Sequence, residues 1–191
     1  MDPSASPSPV SRSGEICPVR LAHLVFRTPR YDAMVRWYCT VLGAVPVFAD
    51  AMLTFATYDD EHHRVAFVNL PQLGDLDPMA AGVDHVAFTY ASLGDLLHTY
   101  ERLKKEGILP VWCINHGPTT SMYYSDPDGT RVELQIDNFA NTEELDAWFR
   151  SGAFALNPIG VEYDPEVLLT RYRGGTPLAQ LVQQGSTGAR A

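Results

Sequence analysis

Four positions could carry chemistry, and a weak internal repeat sets them in correspondence. His23 stands in AHLVF, residues 22 to 26, and His85 in DHVAF, residues 84 to 88. At the other end of each copy lie EHHRVAF and DGTRVELQI, where an Arg-Val pair is followed by Ala66 in one and Glu133 in the other. If a pseudo-twofold axis relates the copies, two imidazoles and a carboxylate converge and the fourth corner is apolar. That is the donor set of non-haem Fe(II) sites, which keep open positions for substrate and dioxygen. The methyl group of Ala66 would vacate one coordination position. A single histidine at a strand start is more often solvated than a ligand, but three candidates at repeat-equivalent positions form a stronger signal.

Positioning these residues requires elements of fixed order. After the first apolar run comes YDAMVRWYCTVLG, with Met34, Trp37, Tyr38, Val41 and Leu42 on one helical stripe and Gly43 as the stop. After the second comes SLGDLLHTYERLKKEG, with Leu93, Leu96, Leu97, Tyr100 and Leu103 on the stripe, Ser92 as N-cap and Gly107 as stop. Each helix is followed by a Pro-Val segment (Pro46-Val47, Pro110-Val111) and two strand-like runs, 52 to 58 and 63 to 69, then 120 to 125 and 130 to 136. Both copies read as βαβββ. The expected fold is α+β: two βαβββ modules, 19–71 and 83–138, whose two curved antiparallel sheets lie side by side and form one curved sheet around a metal-containing pocket, with helices outside. Residues 71–82 serve as the linker.

Composition bounds the partners. The 191 residues are 46% hydrophobic with net charge -9 and pI near 5.0, which suits one soluble domain and argues against a nucleic-acid or anionic-membrane partner. Residues 1–18, rich in Pro and Ser, predict a disordered leader without secretory character, and no run is apolar enough to span a bilayer. Cys17, Cys39 and Cys113 lack ligand spacing and predict reduced thiols in a cytoplasmic setting.

The pattern over residues 21 to 138 resembles the vicinal oxygen chelate (glyoxalase, bleomycin resistance, dioxygenase) superfamily, and within it the single-domain type I extradiol ring-cleaving dioxygenases. The resemblance implies Fe(II), or Mn(II), held by His23, His85 and Glu133, with an aromatic diol and O2 as partners. HHRVAF resembles the segment carrying the family's acid/base histidine, which assigns that role to His63 beside His62. SMYYSDPDGTRVEL resembles the closing hairpin, in which Tyr123 contacts a substrate oxygen, and His116 in NHGPTT corresponds to the histidine preceding it. His62 and His63, as strand neighbours, are expected on opposite faces.

Residues 139–191 predict a helical extension, from NTEELDAWFRSG with an Asn141/Glu144 capping box and DPEVLLTRYRGG. Phe149, Phe154, Leu156 and Ile159 predict packing over the open end of the pocket or on a partner subunit of a homo-oligomer, with 175–191 a loose tail. Three functions fit these features: an Fe(II)-dependent extradiol dioxygenase acting on a catechol-type or polycyclic diol, a glyoxalase- or isomerase-like metalloenzyme, and a metal-free binding or resistance protein. The second brings a carboxylate from each module, which Ala66 disfavours. The third lacks the ligand set.

Overall fold

Alternating apolar residues build two sheets, each with one face against a helix. The computed structural model describes residues 16–187, so most of the expected leader lies outside the described residues. The first module comprises β1 (Leu24–Thr28), α1 (Tyr31–Leu42), β2 (Val45–Ala49), β3 (Leu53–Thr57) and β4 (Val65–Asn69). The second comprises β5 (His85–Thr89), α2 (Leu93–Lys105), β6 (Trp112–Asn115), β7 (Thr119–Ser125) and β8 (Arg131–Asp137). The chain continues through α3 (Thr142–Arg150), α4 (Ala153–Leu156), β9 (Val161–Glu162), α5 (Pro165–Arg173) and α6 (Leu178–Leu181).

The strands hydrogen-bond in the order β1-β4-β3-β2 in one sheet and β5-β8-β7-β6-β9 in the other. The two modules thus form two sheets, as expected, of four and five strands. One correction concerns direction: β1 pairs with β4, and β5 with β8, in parallel. A helix crosses over between β1 and the rest of its sheet, and apolar alternation is blind to strand direction. Pro46 sits in β2, at the sheet edge, where a missing N–H breaks no ladder, and the register shifts between Pro46 and Phe48.

Period two sorts the side chains. Phe26, Phe67, Met122, Tyr124, Val132 and Leu134 turn toward the helices and join Met34, Tyr38, Leu96 and Leu103 in one core spanning both modules. Each such side chain, fully buried, contributes about 1.5–3 kcal/mol. The helix boundaries follow from local chemistry. Gly43 ends α1 with φ 66°, in the left-handed region, and the Ser92 side chain accepts from the Asp95 amide at the start of α2. Polar contacts then fix the modules to each other. The Tyr38 hydroxyl donates to Asp126 Oδ2 at 3.0 Å, and the Arg102 guanidinium donates to the last carbonyls of α1, Thr40 and Val41.

The C-terminal segment is docked. The Asn141 side chain accepts from the Glu144 amide as expected, and the Glu144 carboxylate reaches back to accept from Ala140 N and from the Asn141 side-chain amide. Leu168 and Leu169 are buried, and the Tyr163 hydroxyl donates to the Ser121 carbonyl. Where the sequence predicts a loose tail, residues 175–187 include the short α6 with Leu181 buried, and Asn115 and Gln184 side chains tie this stretch to β6. Cys17, Cys39 and Cys113 are not disulfide-bonded, and among the described residues no helix is long and apolar enough to cross a membrane.

Candidate metal and substrate site

Strand register places the candidate residues on the faces turned away from the helices. In the second sheet Ala87 lies opposite Glu133, and Glu133 opposite Tyr123, which in turn faces Trp112. In the first sheet Val25 lies opposite Ala66, Ala66 opposite Phe55, and Phe55 opposite Phe48. The two sets superpose step for step. His23 and His85 are therefore equivalent, as are Ala66 and Glu133, Phe55 and Tyr123, Phe48 and Trp112. Position 55 holds a ring without a hydroxyl where position 123 holds a phenol.

The second sheet brings its donors into contact. His85 Nε2 lies 3.1 Å from Glu133 Oε2, a diagonal neighbour across the parallel ladder. The other ring nitrogen, Nδ1, lies 2.7 Å from Asp84 Oδ2, and Asp84 is also bound by Arg131. These two partners hold the Asp84 carboxyl below the usual carboxylate range, His85 first and Arg131 second. Glu133 is only 4% exposed. Tyr123 is pushed well above the usual phenol range, first by burial and then by the Glu133 carboxylate beside it, so its hydroxyl keeps its proton. That hydroxyl lies 3.0 Å from His116 Nε2, and His116 Nδ1 meets the Ile159 carbonyl.

The first sheet arranges its histidines differently. His63 is buried, with its ring stacked between His23 and Phe55 at 4.3 Å from each centroid. Phe55 is the residue opposite Ala66, and a methyl group there leaves room for the imidazole. Burial comes first among the causes that lower the basicity of His63, followed by the neighbouring His23 and His62 imidazoles, and the ring is therefore neutral near pH 7. The expectation that His62 and His63 lie on opposite faces is not met. β4 starts at Val65, so both precede the strand, and their Nδ1 atoms are in direct contact although the His62 side chain is 68% exposed.

The arrangement thus holds two groups, His85 with Glu133 and Tyr123, and His23 with His63. Among the described residues no three His, Cys, Asp or Glu side chains are gathered closely enough to hold a metal ion. The donor chemistry nevertheless suits a divalent cation: one imidazole and a buried carboxylate are in contact, and a second imidazole occupies the equivalent place in the sister sheet. Two cavities of about 560 Å³ are lined elsewhere, one by Arg30, Asp50 and Asn69 and the other by Tyr90, Phe139 and Val182. Sequence reading missed Asp84, Trp112, Phe55 and Ile159. Only Asp84 had a legible signal, a carboxylate next to a candidate ligand histidine.

Residues 20–134 match the family model described as the Glyoxalase/Bleomycin resistance protein/Dioxygenase superfamily. Two curated proteins of Rhodococcus globerulus are similar along most of their length. Biphenyl-2,3-diol 1,2-dioxygenase 2 is 47% identical over 85% of this chain and 86% of its own, and biphenyl-2,3-diol 1,2-dioxygenase 3 is 43% identical over the same shares. Among solved structures, a glyoxylase/bleomycin resistance protein/dioxygenase domain from Frankia sp. EAN1pec aligns with TM-score 0.53 at 19% identity, covering 66% of this chain and 97% of that one. Lactoylglutathione lyase from Agrobacterium tumefaciens aligns with TM-score 0.51 at 18% identity, over 62% and 94%. These two speak to the fold alone and agree with paired βαβββ modules. With a family match over more than half its length and relatives above 40% identity, the chain belongs to the glyoxalase/bleomycin resistance protein/dioxygenase superfamily, among its dioxygenases.

Proposed function

We propose that the chain is an Fe(II)-dependent extradiol dioxygenase opening the ring of an aromatic vicinal diol, with diols of the biphenyl-2,3-diol kind favoured by the names of its relatives. The observation that carries this reading is the contact of His85 with the buried Glu133 directly opposite Tyr123, at positions where the sister sheet has His23, Ala66 and Phe55. His23, His85 and Glu133 would hold the metal, with Mn(II) accepted by the same donors. When bound, it supplies a common meeting point for diol and O2 and polarises the diol oxygens.

The overall reaction breaks the ring C–C bond beside one hydroxyl and leaves both atoms of O2 in the product, so it consumes no external reductant. The chain's own groups manage protons and orientation. His63, neutral at physiological pH, accepts a proton from a diol hydroxyl and returns it as the ring opens. Tyr123, held protonated beside Glu133, and His116 orient the substrate oxygens. Trp112, packed on Tyr123 at 5.0 Å, walls that side with apolar surface suited to an aromatic ring. The Ala66 methyl disfavours a glyoxalase-type site, which would bring a carboxylate from each module.

The test is anaerobic loading with Fe(II) followed by addition of 2,3-dihydroxybiphenyl or catechol. O2 uptake matched to diol consumed, with a yellow ring-opened product, is expected. A metal-replete protein that takes up no O2 with either diol would contradict the proposal. Asp84 supplies a further expectation, because a carboxylate on Nδ1 fixes the tautomer and orientation of a ligand imidazole. Asp84→Ala should weaken metal binding by about 10–100-fold in a calorimetric titration with little change in thermal stability, since the side chain is largely exposed.

A further inference from the structure

We infer that the turn at residues 157–160, which lies beyond the region matching the family, is a positioning device that sets the proton of His116 and through it the hydrogen-bond polarity of Tyr123. The inference rests on the reading of His116 and Tyr123 as substrate-side groups and adds the residues that act through them.

His116 Nδ1 lies 2.5 Å from the Ile159 oxygen, and a carbonyl oxygen only accepts, so Nδ1 carries the proton. In a neutral imidazole Nε2 is then an acceptor, and its partner at 3.0 Å is the Tyr123 hydroxyl, which donates to it in competition with the Glu133 carboxylate on its other side. With its proton directed to His116, the Tyr123 oxygen offers lone pairs to a diol hydroxyl. A carbonyl of the C-terminal segment thus determines whether Tyr123 accepts from substrate or donates to it.

The turn is built to hold that carbonyl. Asn157 closes it in both directions: its Oδ1 accepts from the Gly160 amide at 3.0 Å and its Nδ2 donates to the Gly160 carbonyl at 2.8 Å. Gly160 has φ +115°, and a Cβ there would stand 2.4 Å from the Asn115 carbonyl oxygen and 2.8 Å from His116 Cα. Both are backbone atoms, so no side-chain rotation relieves the clash. Beyond the turn β9 pairs with β6, and Glu162 accepts from the Trp112 indole N–H at 2.8 Å. On the other side of His116, Trp148 of α3 lies against Gly117, where an added Cβ would come within 2.3 Å of the indole. Three parts of the C-terminal segment therefore converge on the loop that carries His116.

The test combines ¹⁵N NMR of the imidazole nitrogens of the full-length, metal-free protein with steady-state kinetics of the Fe(II)-loaded protein on 2,3-dihydroxybiphenyl. Wild type should show His116 protonated on Nδ1 alone. Gly160→Ala should lose that single form and lower kcat roughly 10²-fold with metal content unchanged, the scale of a small misplacement of a positioned group. Asn157→Ala, which opens the turn but keeps Gly160, should move both readouts the same way and carries the test if Gly160→Ala does not fold. Leu156→Ala, just outside the turn and 89% exposed, should match wild type in both. Protonation of His116 on Nε2 in wild type, or turn variants that keep the Nδ1–H form and full kcat, would overturn the inference. If the variants lose the Nδ1–H form but wild type cleaves no diol, the positioning stands and the proposed function fails.

Discussion

Glu133→Gln should leave a folded protein that no longer retains a divalent metal and no longer consumes O2 with a diol. Gln preserves the volume of a residue that is 4% exposed and can still accept from its neighbours, so packing survives while the negative charge is lost. The loss in metal affinity should exceed the roughly 10–100-fold that removing an outer partner of a ligand costs, since Glu133 is a direct donor in this account. Thermal melts separate ligand from scaffold. Wild type should gain about 2.7 kcal/mol when free metal stands at 100 times Kd, and Glu133→Gln should gain nothing at the same concentration. Without metal the variant should be no less stable than wild type, because it no longer buries a carboxylate. Equal metal-induced stabilisation of both proteins would remove Glu133 from the ligand set.

His63→Phe should lower turnover by about 10²–10⁴ while metal content and diol affinity stay close to wild type, as expected for loss of an acid/base group that is not a ligand. Phe is the suitable replacement because His63 stacks between His23 and Phe55, and a second aromatic ring keeps that stack. His62→Ala provides the comparison. Its side chain is 68% exposed and its ring meets those of His63, at 4.4 Å, and His23, at 6.3 Å, so turnover should fall less than tenfold, within the ~1.4 kcal/mol of a lost orienting contact. A His63→Phe enzyme with full kcat, or a His62→Ala enzyme as impaired as His63→Phe, would reassign the proton transfer.

How much of this was legible in the sequence depends on the range of each interaction. The β–α units were, because their stripes are local: Met34, Tyr38 and Val41 in α1 and Leu93 to Leu103 in α2 are buried as their spacing requires. The correspondence of Ala66 with Glu133 was also legible, through the shared Arg-Val pair, and the register confirms it at every step from Val25 to Phe48 and from Ala87 to Trp112. Strand direction was not, since a period of two is the same in parallel and antiparallel strands. The place of His63 was read one step too regularly, as part of a strand, whereas its ring folds back onto His23 from the loop before β4. β9 has two residues, too few for any period, and its role depends on a backbone carbonyl 43 positions from His116, which leaves no trace in residue types.

The central claim is that His23 of one sheet and His85 and Glu133 of the other share a single metal. It is tested most directly by a crystal structure of the Fe(II)-loaded protein grown without oxygen, with anomalous diffraction at the iron edge. One iron is expected, bonded by a ring nitrogen of His23, Nε2 of His85 and a carboxylate oxygen of Glu133, with His63 beside it and unbonded. Iron bound elsewhere, or bound by His85 and Glu133 while His23 remains stacked on His63 and away from it, would contradict the account.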